Sequence, residues 1–414
     1  MLITISKYLL IFMPVMLISG PLIPEIFMNF VSLVFLFYLI KNKNFIIYFN
    51  NKTVKIILIF YLICILSSLF SEEKLYSLLT SIPYIRYLIF AVAASWIIYN
   101  NENVLKKIYY SFIFSYFILI LFAIFEFITN YNVIYGKQFR VDRISSLFGD
   151  ELILGSYLSR FFPILLGLGL FFCSTMTKSR KFLFYLLIFT TPSIVFLSGE
   201  RTSLFFMIIG FIGFIFFFKA TLKIKVGFVF SAIFFIIFLL IFTENVKKNT
   251  VERTLKQINP SNNKIHFFSE EHEALASSAI KIFNDNKILG SGPKTFKKKC
   301  QESKYIVKNE RDIFGCYSHP HNTSLQILSE IGIIGFVIYF IMLFFVLKKL
   351  LNIFIEFNFK NNTSFSNIEI CCYLSFLITL FPIVPGGNFF NNYLNIIYYY
   401  PLGIFLAYKL KNKL

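Results

Sequence analysis

From end to end this sequence repeats one unit, an apolar stretch followed by a polar connection. A bilayer's hydrocarbon core, about 30 Å thick, takes roughly 17–25 apolar residues in helical form. Inside it, a helix satisfies its backbone amides within its own segment. Twelve such stretches are predicted, at about 3–19, 22–40, 54–70, 82–99, 108–129, 152–173, 182–198, 202–218, 226–243, 324–347, 368–384 and 391–408. A chain written this way is expected to be an all-α polytopic membrane protein of about 12 transmembrane helices. Composition agrees, with 57% hydrophobic residues and a mean hydropathy of +0.71, beyond the apolar share of soluble domains. Met1 to Gly20 has the length of a signal peptide. No small-x-small cleavage pattern follows it and Pro21 leads into another apolar run, so it reads as a retained first span.

The net charge of +19 is explained by position. With the N-terminus inside, Lys41, Lys43, Lys52, Lys55, Lys106, Lys107, Lys178, Arg180, Lys181, Lys219, Lys223, Lys225, Lys348, Lys349, Lys409, Lys411 and Lys413 all fall on inner connections. The short outer connections are nearly free of Lys, which is the positive-inside pattern. Much of the charge therefore encodes topology, and nucleic acid is not expected as a partner. The outer side is then periplasmic or extracellular. Three regions follow: spans one to nine over 1–243, a large outer loop over 244–323 between the ninth and tenth spans, and spans ten to twelve over 324–414.

Within the large loop, Leu275, Ala276, Ala279, Ile280, Ile282 and Phe283 recur at helical spacing and predict an amphipathic helix over 270–284, on the membrane surface or on the bundle. Gly290-Ser291-Gly292-Pro293 then breaks the chain before a run of Lys294, Lys297, Lys298 and Lys299. Cys300 and Cys316 are the only cysteines of the loop. In an oxidising compartment they suggest a disulfide, stabilising by about 3 kcal/mol through loop-closure entropy.

Charge inside a membrane is costly and marks function or structure. Glu25, Arg86, Glu126, Arg160 and Glu330 all fall in the outer part of predicted spans, which implies a polar cavity open to the outside. Arg86 and Arg160 fit either ligand contact or a buried pair with Glu126 or Glu330. Ser198-Gly199-Glu200-Arg201-Thr202-Ser203 is a short outer turn that pins Arg201 at the cavity rim. Its planar fork of donors suits phosphate oxygens, with pairing to Glu200 or Glu330 as the structural alternative. Arg140, Arg143, Arg253 and Arg311 are further outer arginines. Two of only four histidines, His319 and His321, stand where the loop meets the tenth span. Histidine is the side chain best poised to accept a proton near neutral pH, and His321 is the stronger candidate. Asn322 and Glu330 are candidate orienting residues, Asn322 also as a helix cap. Gly332 and Gly335 suit close helix contact. No His, Asp or Glu cluster has metal-ligand spacing, so neither metal nor cofactor is expected.

The order of a ninth span, a large outer loop, then His321-Asn322, Gly332 and Gly335 resembles the O-antigen ligase and O-antigen polymerase superfamily. Ser198 to Thr202 is similar to that family's arginine turn, and Ile288 to Phe296 to its glycine-containing segment. Phe148-Gly149-Asp150 with Gly155 is similar to its sixth-span start, and Phe381-Pro382 to Phe390 to its C-terminal outer turn. The resemblance covers about residues 140 to 405. It implies metal-independent, inverting transfer of a glycan from an undecaprenyl-diphosphate carrier at the periplasmic face of a bacterial inner membrane. The acceptor would be lipid A–core for a ligase, the reading favoured here, or another repeat unit for a polymerase. It implies His321 as the base and Arg201 as a diphosphate ligand. Where many members carry a second arginine near the loop helix, this chain has His272, with Arg253 or Arg311 as substitutes. A lipid-linked oligosaccharide flippase is the alternative from another class; it usually shows repeated halves and midplane polar groups, and neither is visible here.

Overall fold

The computed structural model describes residues 1–42, 45–136, 143–218, 220–242, 269–307, 315–359 and 365–411. Arg140, Arg253 and Arg311 lie outside them, so nothing in the structure bears on these three expectations. The described residues form helices without a strand; one isolated bridge joins Asn322 to Pro385. In chain order the helices are α1 (Leu2–Met16), α2 (Leu22–Asn42), α3 (Phe45–Phe49), α4 (Lys52–Phe70), α5 (Lys74–Tyr99), α6 (Glu102–Thr129), α7 (Leu154–Phe172) and α8 (Lys178–Leu197). Then come α9 (Arg201–Phe217), α10 (Leu222–Phe242), α11 (Glu270–Asp285), α12 (Phe296–Lys299), α13 (Thr323–Phe359), α14 (Asn367–Thr379) and α15 (Asn392–Lys411).

A helix stands at each of the twelve predicted segments. Among the described residues, however, eight helical stretches are long and apolar enough to cross a membrane: those of α1, α2, α4, α5, α6, α7, α8 and α13. The difference is partly one of length. Helices α9 and α14 are apolar but have only 17 and 13 residues, short of the roughly 20 that a full crossing takes. The bundle's centre is formed by α5, α7 and α15, whose buried faces run almost unbroken through Tyr87–Ile98, Tyr157–Gly169 and Asn395–Ala407. Small residues set the closest approaches: a Cβ on Gly403 would stand 2.6 Å from that of Ala94, which fits the contact of α15 with α5.

The predicted amphipathic helix is α11, and it lies on the bundle. It begins at Ser269, whose hydroxyl accepts from the His272 amide, and it buries Ala274, Leu275, Ser278, Ala279 and Ile282. With Phe296, Cys300 and Tyr305 these residues make a small core separate from that of the membrane helices. Cys300 and Cys316 are joined as a disulfide. The Lys-rich run is tied down too: Lys298 pairs with Glu73 at 2.5 Å, and Lys299 pairs with Glu72 and with Glu302.

Gly332 decides how this small core meets the bundle. Helix α13 breaks there, with φ 72° and ψ −169°, a conformation that essentially only glycine adopts without strain. The break exposes backbone groups that the segment after α11 fills. Ser291 and Gly292 donate to the Ser329 and Glu330 carbonyls at 3.0 and 2.8 Å, and Ile333 donates to the Lys287 carbonyl at 2.9 Å. A Cβ on Gly332 would sit 2.3 Å from the Ile288 carbonyl oxygen. The glycine therefore serves close contact, as expected, but between helix and loop. Glu330 locks the same joint: its carboxylate, fully buried, accepts the Lys294 and Phe296 amides at 2.9 and 3.0 Å and the Gln326 side chain at 3.0 Å.

Candidate active site

The polypeptide reaches α13 through Ser318-His319-Pro320-His321-Asn322, and each polar side chain there has a distinct job. Asn322 caps the helix, its Oδ1 accepting the Leu325 amide at 3.0 Å, as the sequence suggests. Its Nδ2 reaches across to the Pro382 and Ile383 carbonyls at 3.0 and 3.2 Å. Ser324 donates to the same Pro382 carbonyl, and the Gly386 amide donates to the His321 carbonyl at 2.7 Å. The turn between α14 and α15 thus cradles the histidine segment. Gln326 extends the cradle, bonding the Asn388 side chain at 2.9 Å and accepting the Phe389 amide at 2.9 Å.

This cradle holds His321 at φ 53°. The left-handed region is uncommon for a residue with a side chain, although histidine is among those enriched there. Such a conformation costs on the order of 1–3 kcal/mol and persists where the surroundings over-determine it. Here the Gly386 amide and the Asn322–Pro385 bridge do so.

Three aromatic rings surround His321: His319 at 4.1 Å, Tyr317 at 5.1 Å and His272 at 5.6 Å between centroids. His319 is buried, and its Nε2 is 3.1 Å from the Gly386 carbonyl while its Nδ1 is 2.9 Å from the Ser318 hydroxyl. A carbonyl can only accept, so Nε2 carries the proton and Nδ1 takes the hydroxyl's. Burial pushes the His319 pKa down to about 4, with His321 repelling its charge further. Burial and its two hydrogen bonds thereby keep it neutral. The pKa of His321 is also lowered, first by burial and then by the charge on His272; Glu271 and the Gly386 carbonyl offset part of this. At neutral pH its imidazole is unprotonated, the state in which a ring nitrogen can take a proton.

His272 links this centre to the arginine turn. Its pKa too is lowered, chiefly by burial and in part by the positive charge of Arg201. Arg201 is exposed at the first position of α9, and its positive charge is felt at His272. Arg201, His272 and His321 thus form one electrostatic neighbourhood at one end of the bundle. Glu200, the other charge of the turn, points into the start of α7, accepting the Gly155 and Ser156 amides at 2.7 and 3.1 Å and the Ser203 hydroxyl at 2.8 Å. Burial raises its pKa to about 6 in spite of those bonds. Arg143 braces the turn, its Nε donating to the Ser198 carbonyl at 3.0 Å.

The remaining intramembrane charges have separate partners. Arg86 pairs with Glu25 at 2.7 Å, and both bond Asn392. Glu126 accepts the Ser145 and Ser146 amides. Neither Glu126 nor Glu330 is therefore the partner of Arg86 in the way sequence position suggests. Arg160 is buried between the rings of Phe206 and Tyr398, at 4.6 and 5.4 Å, with Nε donating to Ser156 and Nη1 unpaired. Sequence reasoning does not single out Tyr317 or Glu271, and it reads the 382–388 turn only as part of the resemblance. Tyr317 had a signal in its position directly after Cys316, and the turn in its clustered Pro, Gly and Asn. No group of His, Cys, Asp and Glu among the described residues could hold a metal ion.

No curated protein matches the chain. Residues 183–340 match the family described as O-antigen ligase, a stretch that holds Arg201, His272, His319, His321 and Gly332. That match supports the O-antigen ligase and polymerase superfamily for this multi-pass helical chain, and with it a glycan-handling function.

Proposed function

We propose that the chain transfers a glycan from undecaprenyl diphosphate to an acceptor hydroxyl at the periplasmic face of a bacterial inner membrane. The favoured reaction is that of an O-antigen ligase, with lipid A–core as acceptor. The supporting observation is the neighbourhood of Arg201, His272 and His321: a cation suited to phosphate oxygens beside an imidazole kept neutral. A lipid diphosphate is already a good leaving group, so the protein's task is to stabilise its growing negative charge and to orient the acceptor. Arg201 does the first through its fork of donors, with His272 beside it at the position where many relatives carry a second arginine. His321 does the second, taking the proton of the acceptor hydroxyl as that oxygen bonds the anomeric carbon. The carbon–oxygen bond to the diphosphate breaks on the opposite face, and the anomeric centre inverts. Arg143 positions the arginine turn, while Asn322 and Glu330 position the histidine segment and the loop behind it. Arg160 would meet the donor only if the bound lipid reaches its unpaired Nη1.

The test is the lipopolysaccharide ladder of a deletion strain carrying the wild-type chain or a variant. Loss of every long chain in the deletion supports the ligase reading, and a band of one repeat unit makes the chain a polymerase. Arg201→Lys keeps the charge but loses the fork, and is expected to fail to restore the ladder. Full restoration by that variant would remove Arg201 from diphosphate binding.

A further inference from the structure

A cavity of about 450 Å³ lies between α4, α13, α14 and α15, and no histidine lines it. Its wall is almost wholly apolar, formed by Phe60, Val346, Phe376, Leu402 and Phe405 among others, and Phe345 on its rim is exposed. The volume falls in the roughly 300–1,000 Å³ range of small-ligand sites. Two charged residues line it, Lys52 and Lys349, both exposed.

The two lysines stand at the same depth. Helix α4 is anchored at the Gly332 break, where Ser67 donates to the Glu330 carbonyl and Ser71 to that of Ser291. Lys52 precedes Ser67 by fifteen residues and Lys349 follows Gly332 by seventeen. At 1.5 Å per residue, each lies about 22–25 Å from the break, at the end of the bundle opposite the histidines. The cavity's other reach, at Leu380 and Phe389, carries no charge.

We infer that this groove binds an anionic phospholipid from the leaflet opposite the histidines, its phosphate held by Lys52 and Lys349 and an acyl chain in the apolar wall. The arrangement matches the basic pockets between membrane helices that take acidic lipid headgroups. It does not match a lipid diphosphate whose head lies at Arg201, because the groove's cations are at the wrong end for that ligand. The inference is independent of glycan transfer.

The experiment is native mass spectrometry of the purified full chain, equilibrated with equal amounts of dioleoyl phosphatidylglycerol and dioleoyl phosphatidylcholine. The chain should retain phosphatidylglycerol in preference to phosphatidylcholine by about tenfold, and the Lys52→Gln/Lys349→Gln double variant should bring that ratio close to one. Both substitutions are at exposed positions, and an unchanged elution profile and melting temperature serve as the folding control. Equal retention of the two lipids by the wild type, or an undiminished preference in the double variant, would overturn the inference. So would displacement of phosphatidylglycerol by undecaprenyl phosphate that binds wild type and double variant equally, since the groove would then hold a polyprenyl chain.

Discussion

Two sets of ionisable groups sit near the junction of α13 with the segment that precedes it, and they are built in opposite ways. At the joint below, Glu330 is saturated by two backbone amides and a side-chain amide, so its charge serves to clamp chain to chain. At the surface, burial and the charge on His272 disfavour protonation of His321, and burial and the charge on Arg201 disfavour that of His272. A saturated group is spent on structure. A crowded imidazole held neutral keeps a ring-nitrogen lone pair for chemistry. The prediction is that perturbing the upper set changes transfer and perturbing the lower set changes folding.

The largest effect should come from His321→Asn. Asparagine tolerates the left-handed backbone, so the cradle by Gly386 is retained and only the proton acceptor is lost. Transfer should fall by about 10²–10⁴-fold, with the melting temperature nearly unchanged. A variant that transfers at the wild-type rate would place the base elsewhere. Next comes Gly332→Ala, where a methyl group would meet the Ile288 carbonyl oxygen at 2.3 Å in a backbone conformation foreign to alanine. A loss of about 2–4 kcal/mol is expected from strain and broken loop bonds together, read as reduced melting temperature and yield. If it melts like the wild type but transfers poorly, the joint is part of the chemistry and the contrast fails.

How legible this division was in the sequence depends on the range of the interactions. The helices, the amphipathic face of α11 and the Asn322 cap follow from local spacing, and all three were readable. The cysteine pair was readable because the large loop offered only two candidates. Partnering among intramembrane charges was not. Arg86 meets Glu25 across more than sixty residues of sequence, and no periodicity distinguishes that pairing from one with Glu126. Glu330 looked like a membrane charge in search of an arginine, yet its partners are backbone amides, which every sequence position offers equally. The turn that cradles His321 acts through the Pro382, Ile383 and Gly386 main chain, and main-chain roles leave only faint marks in residue identity.

The pH response sharpens the same contrast. Because the His321 pKa lies below its ordinary value, transfer should be level above neutrality and fall on the acid side as the ring protonates. His272→Gln removes a charge that pushes this pKa down, so the acid limb should move to higher pH. Stability has the same sign: the folded histidines hold protons less tightly than the unfolded chain, so stability is complete above about 6.5 and declines as pH falls toward the folded values, about 4 for His319. Activity profiles of wild type and His272→Gln, superimposed, decide it; an unmoved limb would mean that His272 does not act on His321.

The smallest effect is expected at the Lys-rich run, whose charge could otherwise be offered to an anionic donor. Lys298 is instead engaged with Glu73 at 2.5 Å and lies over the Tyr76 ring at 4.4 Å, with both ion-pair partners more than a third exposed. Exposed pairs of this kind contribute about 0–1 kcal/mol. Lys298→Ala should therefore lower stability by less than about 1 kcal/mol and leave the donor KM unchanged. Salt offers an independent control, because an exposed staple weakens with ionic strength whether or not donor is present. If the variant instead raises the donor KM severalfold at constant melting temperature, Lys298 releases Glu73 when the lipid diphosphate arrives. The electrostatic neighbourhood of Arg201 and His272 would then extend across the loop to the α4–α5 turn.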